Sequence, residues 1–428
     1  MTAKDRFVPV PVRYFRLVCE PEEQQYVDDL LAAEGFAALR EPVFSLARRL
    51  SEGPYALGRC VAARFGRVYI QDKSSMVPPL CLAPKPGDTV LDLCASPGSK
   101  TGLLAQLVGP QGVVLANEPN TSRLETLRAN MRHLALPNVL TVSERGEDLP
   151  LAPETFSHIL VDAPCSGWGT AAKNPNVRQV WHDGNVQGLV ELQRNLLHRA
   201  AHLAVPGGRI VYSTCTTNPR ENEEQIAWAV EHLDLVVDPL SPLPSVSCAP
   251  QGLNQGVLQV QEEASESQGF FVALLRKKTG GQPPLQETVA WSELVPKGEE
   301  VTAEVLRHLP SESAEHLRYG RFFAFGEKLI YASDKARSVL APGLRWQGAY
   351  VGRRKKGGIL LDPRARWLLP SVPGPLAVDV DTLAPLEALL RGQRLPHAEG
   401  GKRVGLYWRG LPLGWGTVKG RQVLWAER

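Results

Sequence analysis

The chain has 428 residues, 43% hydrophobic and 22% charged, with a formal net charge of +3. This is ordinary for a protein with large buried cores, and roughly 100–200 residues per domain leaves room for two to four domains. The near-neutral balance excludes a uniformly basic surface, so contact with a nucleic acid has to come from local patches.

The start, M-T-A-K-D-R-F-V-P-V, has no long apolar run, and no stretch reaches the ~18 apolar residues of a membrane span. A cytoplasmic location and no membrane partner are therefore expected. Residues 1–70 read as a small α+β domain. Val12 to Val18 has strand composition, and Pro21 to Gly35 reads as a helix with Glu22 and Glu23 in its first turn. Arg13, Arg16, Arg40, Arg48 and Arg49 are candidates for an RNA-facing surface or a solvated one.

Residues 71–278 read as one α/β domain. Strands are predicted at 89–93, 112–116, 138–142, 158–162 and 208–213, with helices at 100–108, 121–135, 187–204 and 219–232. Such alternation implies a parallel sheet covered on both faces. Phe270 to Arg276 would be a closing strand, able to run antiparallel, after a long Pro-, Ser- and Gln-rich loop at 238–268. Gly280 to Pro284 reads as a linker opening a helical connector over 279–340, and 341–428 as a β-rich module. Between Arg345 and Trp367 stand Arg345, Arg353, Arg354, Lys355, Lys356, Arg364 and Arg366 against the single acid Asp362. The run Arg353 to Lys356 followed by Gly357-Gly358 is suited to a turn that grips phosphates.

The chemistry gathers at predicted strand ends. V-L-D-L-C-A-S-P-G-S-K-T ends the first strand in small residues, Ala95-Ser96-Pro97-Gly98-Ser99, ahead of a helix opening at Lys100, as where a ligand lies against backbone. It lacks the G-x-G-x-x-G of nicotinamide sites. Glu118, at the end of the second strand, can accept both hydroxyls of a ribose, and Arg123 follows on the next helix. The fourth strand, H-I-L-V-D-A-P-C-S-G, delivers Asp162 and Cys165. The fifth, I-V-Y-S-T-C-T-T-N-P-R-E-N-E, delivers Cys215 to the same sheet edge.

Seven scattered cysteines (Cys19, Cys60, Cys81, Cys94, Cys165, Cys215 and Cys248) include no C-x-x-C pair. Reduced thiols are expected, with neither disulfides nor a metal site. Two thiols past adjacent strand ends, beside a nucleoside-sized site, suit nucleophilic use. A thiolate adding to carbon 6 of cytosine pushes electron density onto carbon 5, which can then take a sulfonium methyl. Asp162 suits contact with N3 or the exocyclic amine, and a cation such as Lys100 lowers a nearby thiol's pKa.

Gln71-Asp72-Lys73-Ser74-Ser75, the first-strand motif, D-A-P-C-S-G and S-T-C-T with N-P-x-E-N-E together resemble the Nop/Sun (RsmB/RsmF) family of RNA cytosine-C5 methyltransferases. The resemblance implies a Rossmann-like core dependent on S-adenosyl-L-methionine, with a small N-terminal α+β domain. The tail L-Y-W-R-G-L-P-L-G-W-G-T-V-K, with F-F-A-F-G-E-K-L-I-Y, resembles the PUA-like β-rich ending of the family's bacterial F-type branch. Carried over by motif, Cys215 is the nucleophile, Cys165 assists product release and Asp162 lies at the cytosine. Cofactor contacts fall on Cys94, Ala95, Ser96, Pro97, Gly98, Ser99, Lys100, Glu118, Arg123 and Asp162. The implied substrate is 16S rRNA or the small ribosomal subunit, acted on by a monomer. The segment W-G-T-A-A-K-N-P-N-V-R is closer to B-type and tRNA-directed members, which keeps a tRNA substrate as the alternative. A non-catalytic RNA-binding assembly factor is the alternative from another class.

Overall fold

The computed structural model describes residues 13–167, 183–241, 243–248, 256–280, 288–310, 312–313, 315–356, 358–397 and 403–426. The segment 168–182, the linker residues 281–287 and Gly357 thus lie outside the described residues.

The N-terminal sheet has the order β2-β3-β1-β4, from β1 (Arg13–Leu17), β2 (Ala37–Arg40), β3 (Ala47–Glu52) and β4 (Val68–Ile70). The predicted helix becomes a 3-10 turn, Pro21–Glu23, running into the helix Gln24–Ala33. Two of the arginines assigned to a possible RNA face are buried instead. Arg16 Nε donates to Gln71 at 2.9 Å, and Arg48 pairs with Asp28 at 2.8 Å. A buried guanidinium needs such partners, and these two are drawn inward by them.

The central sheet is built from β5 (Thr89–Asp92), β6 (Val113–Asn117), β7 (Val139–Val142), β8 (Phe156–Asp162) and β9 (Ala204–Thr214), all parallel. Next come β10 (Leu235–Val237), β11 (Val257–Val260) and β12 (Phe270–Lys277). The order is β10-β12-β9-β8-β5-β6-β7, with β11 also on β12. The strand Phe270–Lys277 does run antiparallel to β9, but it does not close the sheet, because β10 pairs beyond it. The loop expected over 238–268 carries β11 and a single helical turn, Glu262–Ser265, because β12 still had an unpaired edge to satisfy.

Alternation along each strand sorts the two faces. Leu91, Leu115, Leu140, Ile159 and Ile210 share one core, beneath the helices Asp183–Leu203 and Glu223–His232. Val90, Val114, Val139, Leu160 and Val211 share the other, beneath Lys73–Leu82, Ser99–Val108 and Thr121–Leu134. The chain leaves β5 first towards β6 and later returns to β8 on its other side. That reversal opens a crevice at the carboxyl ends of β5 and β8.

The C-terminal part holds two further five-stranded sheets. One is β13 (Glu299–Glu300), β14 (Gly320–Phe325), β15 (Lys328–Ser333), β17 (Ala349–Lys355) and β18 (Gly358–Leu361). Between them, β16 (Trp346–Gln347) leaves to pair antiparallel with β7 at the edge of the central sheet. The other sheet comprises β19 (Val378–Val380), β20 (Leu395–Pro396), β21 (Arg403–Trp408), β22 (Leu411–Lys419) and β23 (Gln422–Leu424). The stretch read as a helical connector thus contains the hairpin β14–β15, in which Phe322, Phe323, Ala324 and the L-I-Y-A run are buried and Phe325 at the turn is exposed. Trp408 and Trp425 pack with Phe15, Leu17 and Phe65, so the two ends of the chain share one core. Buried Arg366 locks the junction, donating to Gly66 O at 3.1 Å and Leu134 O at 2.6 Å. Among the described residues no helix is long and apolar enough to cross a membrane.

Candidate active site

β8 and β9 run in register, Asp162 opposite Ser213, so the residues after them emerge side by side. Ala163 N–H donates to Ser213 O at 2.9 Å, and Gly167 has a φ of +73°. Cys165 Sγ and Cys215 Sγ end 3.3 Å apart. The pair is polarised. The hydrogen bond to Cys215, reinforced by burial, holds the proton on Cys165 and pushes that thiol well above its ordinary value. The same bond pulls Cys215 below the ordinary thiol value, opposed by burial and Asp162 and aided by Lys100. Cys215 is therefore the readier thiolate.

Lys100 Nζ lies 2.7 Å from Asp162 Oδ2 and 4.8 Å from the centroid of the Phe270 ring. Ser213 Oγ donates to Asp162 Oδ1 at 2.9 Å. This fixes Asp162 beside the thiols, with its carboxylate partly open to the crevice.

The loop from Cys94 to Ser99 is held on every side. Ala95 N–H donates to Asn117 O at 2.9 Å, Ser96 Oγ to Arg123 O at 3.0 Å, and Asn130 Nδ2 to Pro97 O at 2.8 Å. Gly98 sits at φ +103°, a backbone conformation that side chains of L residues rarely adopt, which favours glycine there. Under the loop, burial raises the Asp92 carboxyl to about 7. Its Oδ2 accepts from Thr101 at 2.7 Å, while Oδ1 has no hydrogen-bond partner. Glu118, 3% exposed, accepts from Asn120 N–H at 2.9 Å and lies 3.4 Å from Arg123 Nε. Arg123 also donates to Ser96 O at 3.1 Å, which ties the two strand ends together. Cys94 to Lys100, Glu118, Arg123, Asp162, Cys165 and Cys215 thus stand at the carboxyl ends of β5, β6, β8 and β9, joined in the pairs Lys100–Asp162, Arg123–Glu118 and Cys165–Cys215. Among the described residues no group of His, Cys, Asp and Glu could hold a metal ion.

In the sequence alone, the acids of N-P-R-E-N-E carry no assigned role. The structure buries Glu221 completely between the two cysteine loops. Its carboxylate accepts from Ser166 N–H at 2.9 Å and Gln193 Nε2 at 3.1 Å, and it also accepts the Ser166 hydroxyl. Asn222 accepts from Thr214 Oγ1 at 2.6 Å and donates to Thr216 O at 3.0 Å. An acid and an amide so soon after an apolar strand was the available signal.

The profile of the family described as 16S rRNA methyltransferase RsmB/F matches residues 79–276. Ribosomal RNA small subunit methyltransferase F of Aliivibrio fischeri is 30% identical over 86% of this chain and 79% of its own length. The chain belongs to the RsmB/F methyltransferase family. The family member of the same name from Cronobacter sakazakii is 38% identical over 55% of this chain and 50% of its own. The chain spans about half the length of several curated relatives it matches. A methyltransferase homolog from Pyrococcus horikoshii has the same core fold, with 32% identity and a TM-score of 0.54 over 62% of this chain and 86% of that one.

The phosphate-gripping turn expected at Arg353 to Lys356 is partly neutralised, at Arg354 and Lys355. Arg354 pairs with Glu299 at 2.6 Å and with Glu304, and Lys355 pairs with Glu327. The acids that absorb these charges come from β13, the helix after it and the β14–β15 turn. Arg353 points the other way, into a cavity of about 500 Å³ between the helix Thr121–Leu134 and the C-terminal sheets. Arg128, Lys328, Tyr350 and Trp367 also line it.

Proposed function

We propose that this chain methylates carbon 5 of cytosine in RNA, with 16S rRNA of the small ribosomal subunit as substrate and S-adenosylmethionine as donor. The observation that carries the reading is the pair of thiols whose sulfurs lie 3.3 Å apart, at the same sheet edge as the small-residue loop after β5. The crevice suits the donor. The small-residue loop carries a glycine at positive φ, a buried acid with an oxygen lacking a hydrogen-bond partner lies beneath it, and Glu118 stands at the second strand end. Cys94 to Lys100, Glu118 and Arg123 would hold the cofactor, which supplies a methyl on a positively charged sulfur.

The protein's own groups do the rest. The Cys215 thiolate adds to carbon 6, forming an S–C bond and moving the C5=C6 pair onto carbon 5. Asp162, held by Lys100 and Ser213, meets the N3 edge of the base. Once Cys215 is bonded to the base, the hydrogen bond that kept the proton on Cys165 is gone. Cys165 then loses its proton to solvent and accepts the one on carbon 5. The C–H pair restores C5=C6, and the S–C bond breaks with its electrons returning to Cys215. The target base has to leave any helix to reach this site. On this reading RNA also contacts the cavity lined by Arg128, Lys328 and Arg353, rather than the ion-paired side of the turn.

The test is methyl transfer from labelled S-adenosylmethionine to 16S rRNA, followed by bisulfite sequencing. 5-Methylcytosine formed by the wild-type chain supports the reading. Label at another atom or base overturns it.

A further inference from the structure

We propose that Glu221 is the positioning residue that sets the two thiols against each other, acting through Ser166 and Thr216. The inference rests on the reading of Cys215 and Cys165 as the reacting pair. Residues 166 and 216 directly follow the two cysteines, and neither cysteine loop is otherwise stiffened by sheet pairing at that point. The peptide groups flanking Cys165 are both fixed. Ser166 N–H donates to the Glu221 carboxylate at 2.9 Å, and Pro164 O accepts from Gln193 Nε2 at 2.9 Å. That same Gln193 amide donates to Glu221, so helix, loop and carboxylate form one joint.

The Ser166 hydroxyl carries the constraint across. It donates to Glu221 and lies 2.8 Å from Thr216 Oγ1, within hydrogen-bond reach. Glu221 itself is anchored to β9, because Tyr212 Oη donates to its main-chain oxygen at 2.7 Å. A single carboxylate therefore couples the residue after one thiol to the residue after the other. The hydrogen bond between the sulfurs, which polarises them, depends on that spacing. A buried acid among neutral donors is costly unless it is fully bonded, which makes the joint stiff when complete and loose when any member is lost.

The groups facing the thiols are Lys100 from the helix Ser99–Val108, Asp162 from β8 and Tyr212 from β9. Lys100 and Asp162 make no hydrogen bond to Glu221, and Tyr212 meets only its main-chain oxygen, so a change of the Glu221 side chain reads out through geometry. Glu221→Gln keeps an acceptor for Ser166 N–H and Gln193, and its amide can donate to a Ser166 hydroxyl turned towards Thr216. Glu221→Ala keeps neither.

The experiment is the pH profile of iodoacetamide alkylation at Cys215, followed by peptide mass spectrometry, in the full chain without RNA or cofactor. Thermal melting checks the fold. In wild type, Cys215 should react faster than any other thiol. In Glu221→Ala its midpoint should move up by about one pH unit, slowing alkylation at pH 7 by roughly tenfold. Glu221→Gln should stay within roughly threefold of wild type on the same scale. Ser166→Ala, which breaks the relay but keeps the main-chain bond, should shift the midpoint in the same direction by less, and it serves if Glu221→Ala does not fold. An unchanged profile in the folded variants, or equal losses in Gln and Ala, would overturn the positioning role. A wild-type Cys215 no more reactive than the other thiols would instead overturn the reading of the reacting pair.

Discussion

At the ends of β8 and β9, each reactive side chain is held by neighbours that leave one face open. Hydrogen bonds to Glu221 and from Gln193 and Ser213 take up the surrounding backbone and Asp162, and the two sulfurs are left with each other. At the turn after β17 the opposite holds, because Glu299, Glu304 and Glu327 meet Arg354 and Lys355 directly. Both regions are dense in chemistry-bearing residues. The difference lies in what the partners consume: in the first they bind the scaffold and spare the reactive atoms, in the second they bind the charges themselves.

Replacing the nucleophile should break the comparison most severely. Cys215→Ala is expected to lower methyl transfer by roughly 10⁴-fold or more, the scale of losing a nucleophile, with cofactor binding measured by calorimetry unchanged. Retained turnover would mean that the polarised thiol is not the attacking group. Cys165→Ala should cut steady-state turnover by about 10²–10⁴-fold, the range for removing a proton-transfer group, while a first round of methylation persists in single-turnover assays, slowed at neutral pH because Cys215 loses the hydrogen bond that favours its thiolate.

Lys100→Met sharpens the electrostatic side. Wild-type activity should rise with pH as Cys215 deprotonates and level off below the ordinary thiol range. Without the ammonium, and with Asp162 unpaired, the thiolate is disfavoured, so the rising limb should move to higher pH. A shift of one unit would be about tenfold at pH 7. An unmoved limb would remove Lys100 from the account.

The smallest effects belong to the C-terminal charges, and there the contrast between neighbours matters more than the size. Arg353→Ala and Lys328→Ala should each reduce the salt slope of RNA binding by about 0.7, the value for one single-strand phosphate contact. Arg354→Ala and Lys355→Ala should leave it unchanged in the same filter-binding series. Equal effects from all four would make the whole turn a phosphate surface despite its ion pairs.

The sequence was most readable where structure is local and periodic. The five parallel strands lie within a few residues of their predicted positions, because runs such as V-L-D-L and H-I-L-V-D end in residues that cannot continue a strand. Their parallel order brought the Cys165 and Cys215 loops to one edge, and Glu118 with the Cys94–Lys100 loop to the neighbouring one. Pairings distant in the chain were not readable. Arg354 meets acids about fifty residues earlier, Arg16 is claimed by Gln71, and β16 crosses to the central sheet. Glu221 falls between these cases: its motif was visible, but its partners Ser166 and Gln193 come from segments that only the folded sheet brings together.

The most direct test of the thiol reading is to incubate Cys165→Ala with S-adenosylmethionine and 16S rRNA, denature, digest and map the protein–RNA adduct by mass spectrometry. The expected result is a stable adduct in which Cys215 carries a methylated cytidine. An adduct on any other residue, or complete release of methylated RNA without one, would contradict the division of labour between the two thiols.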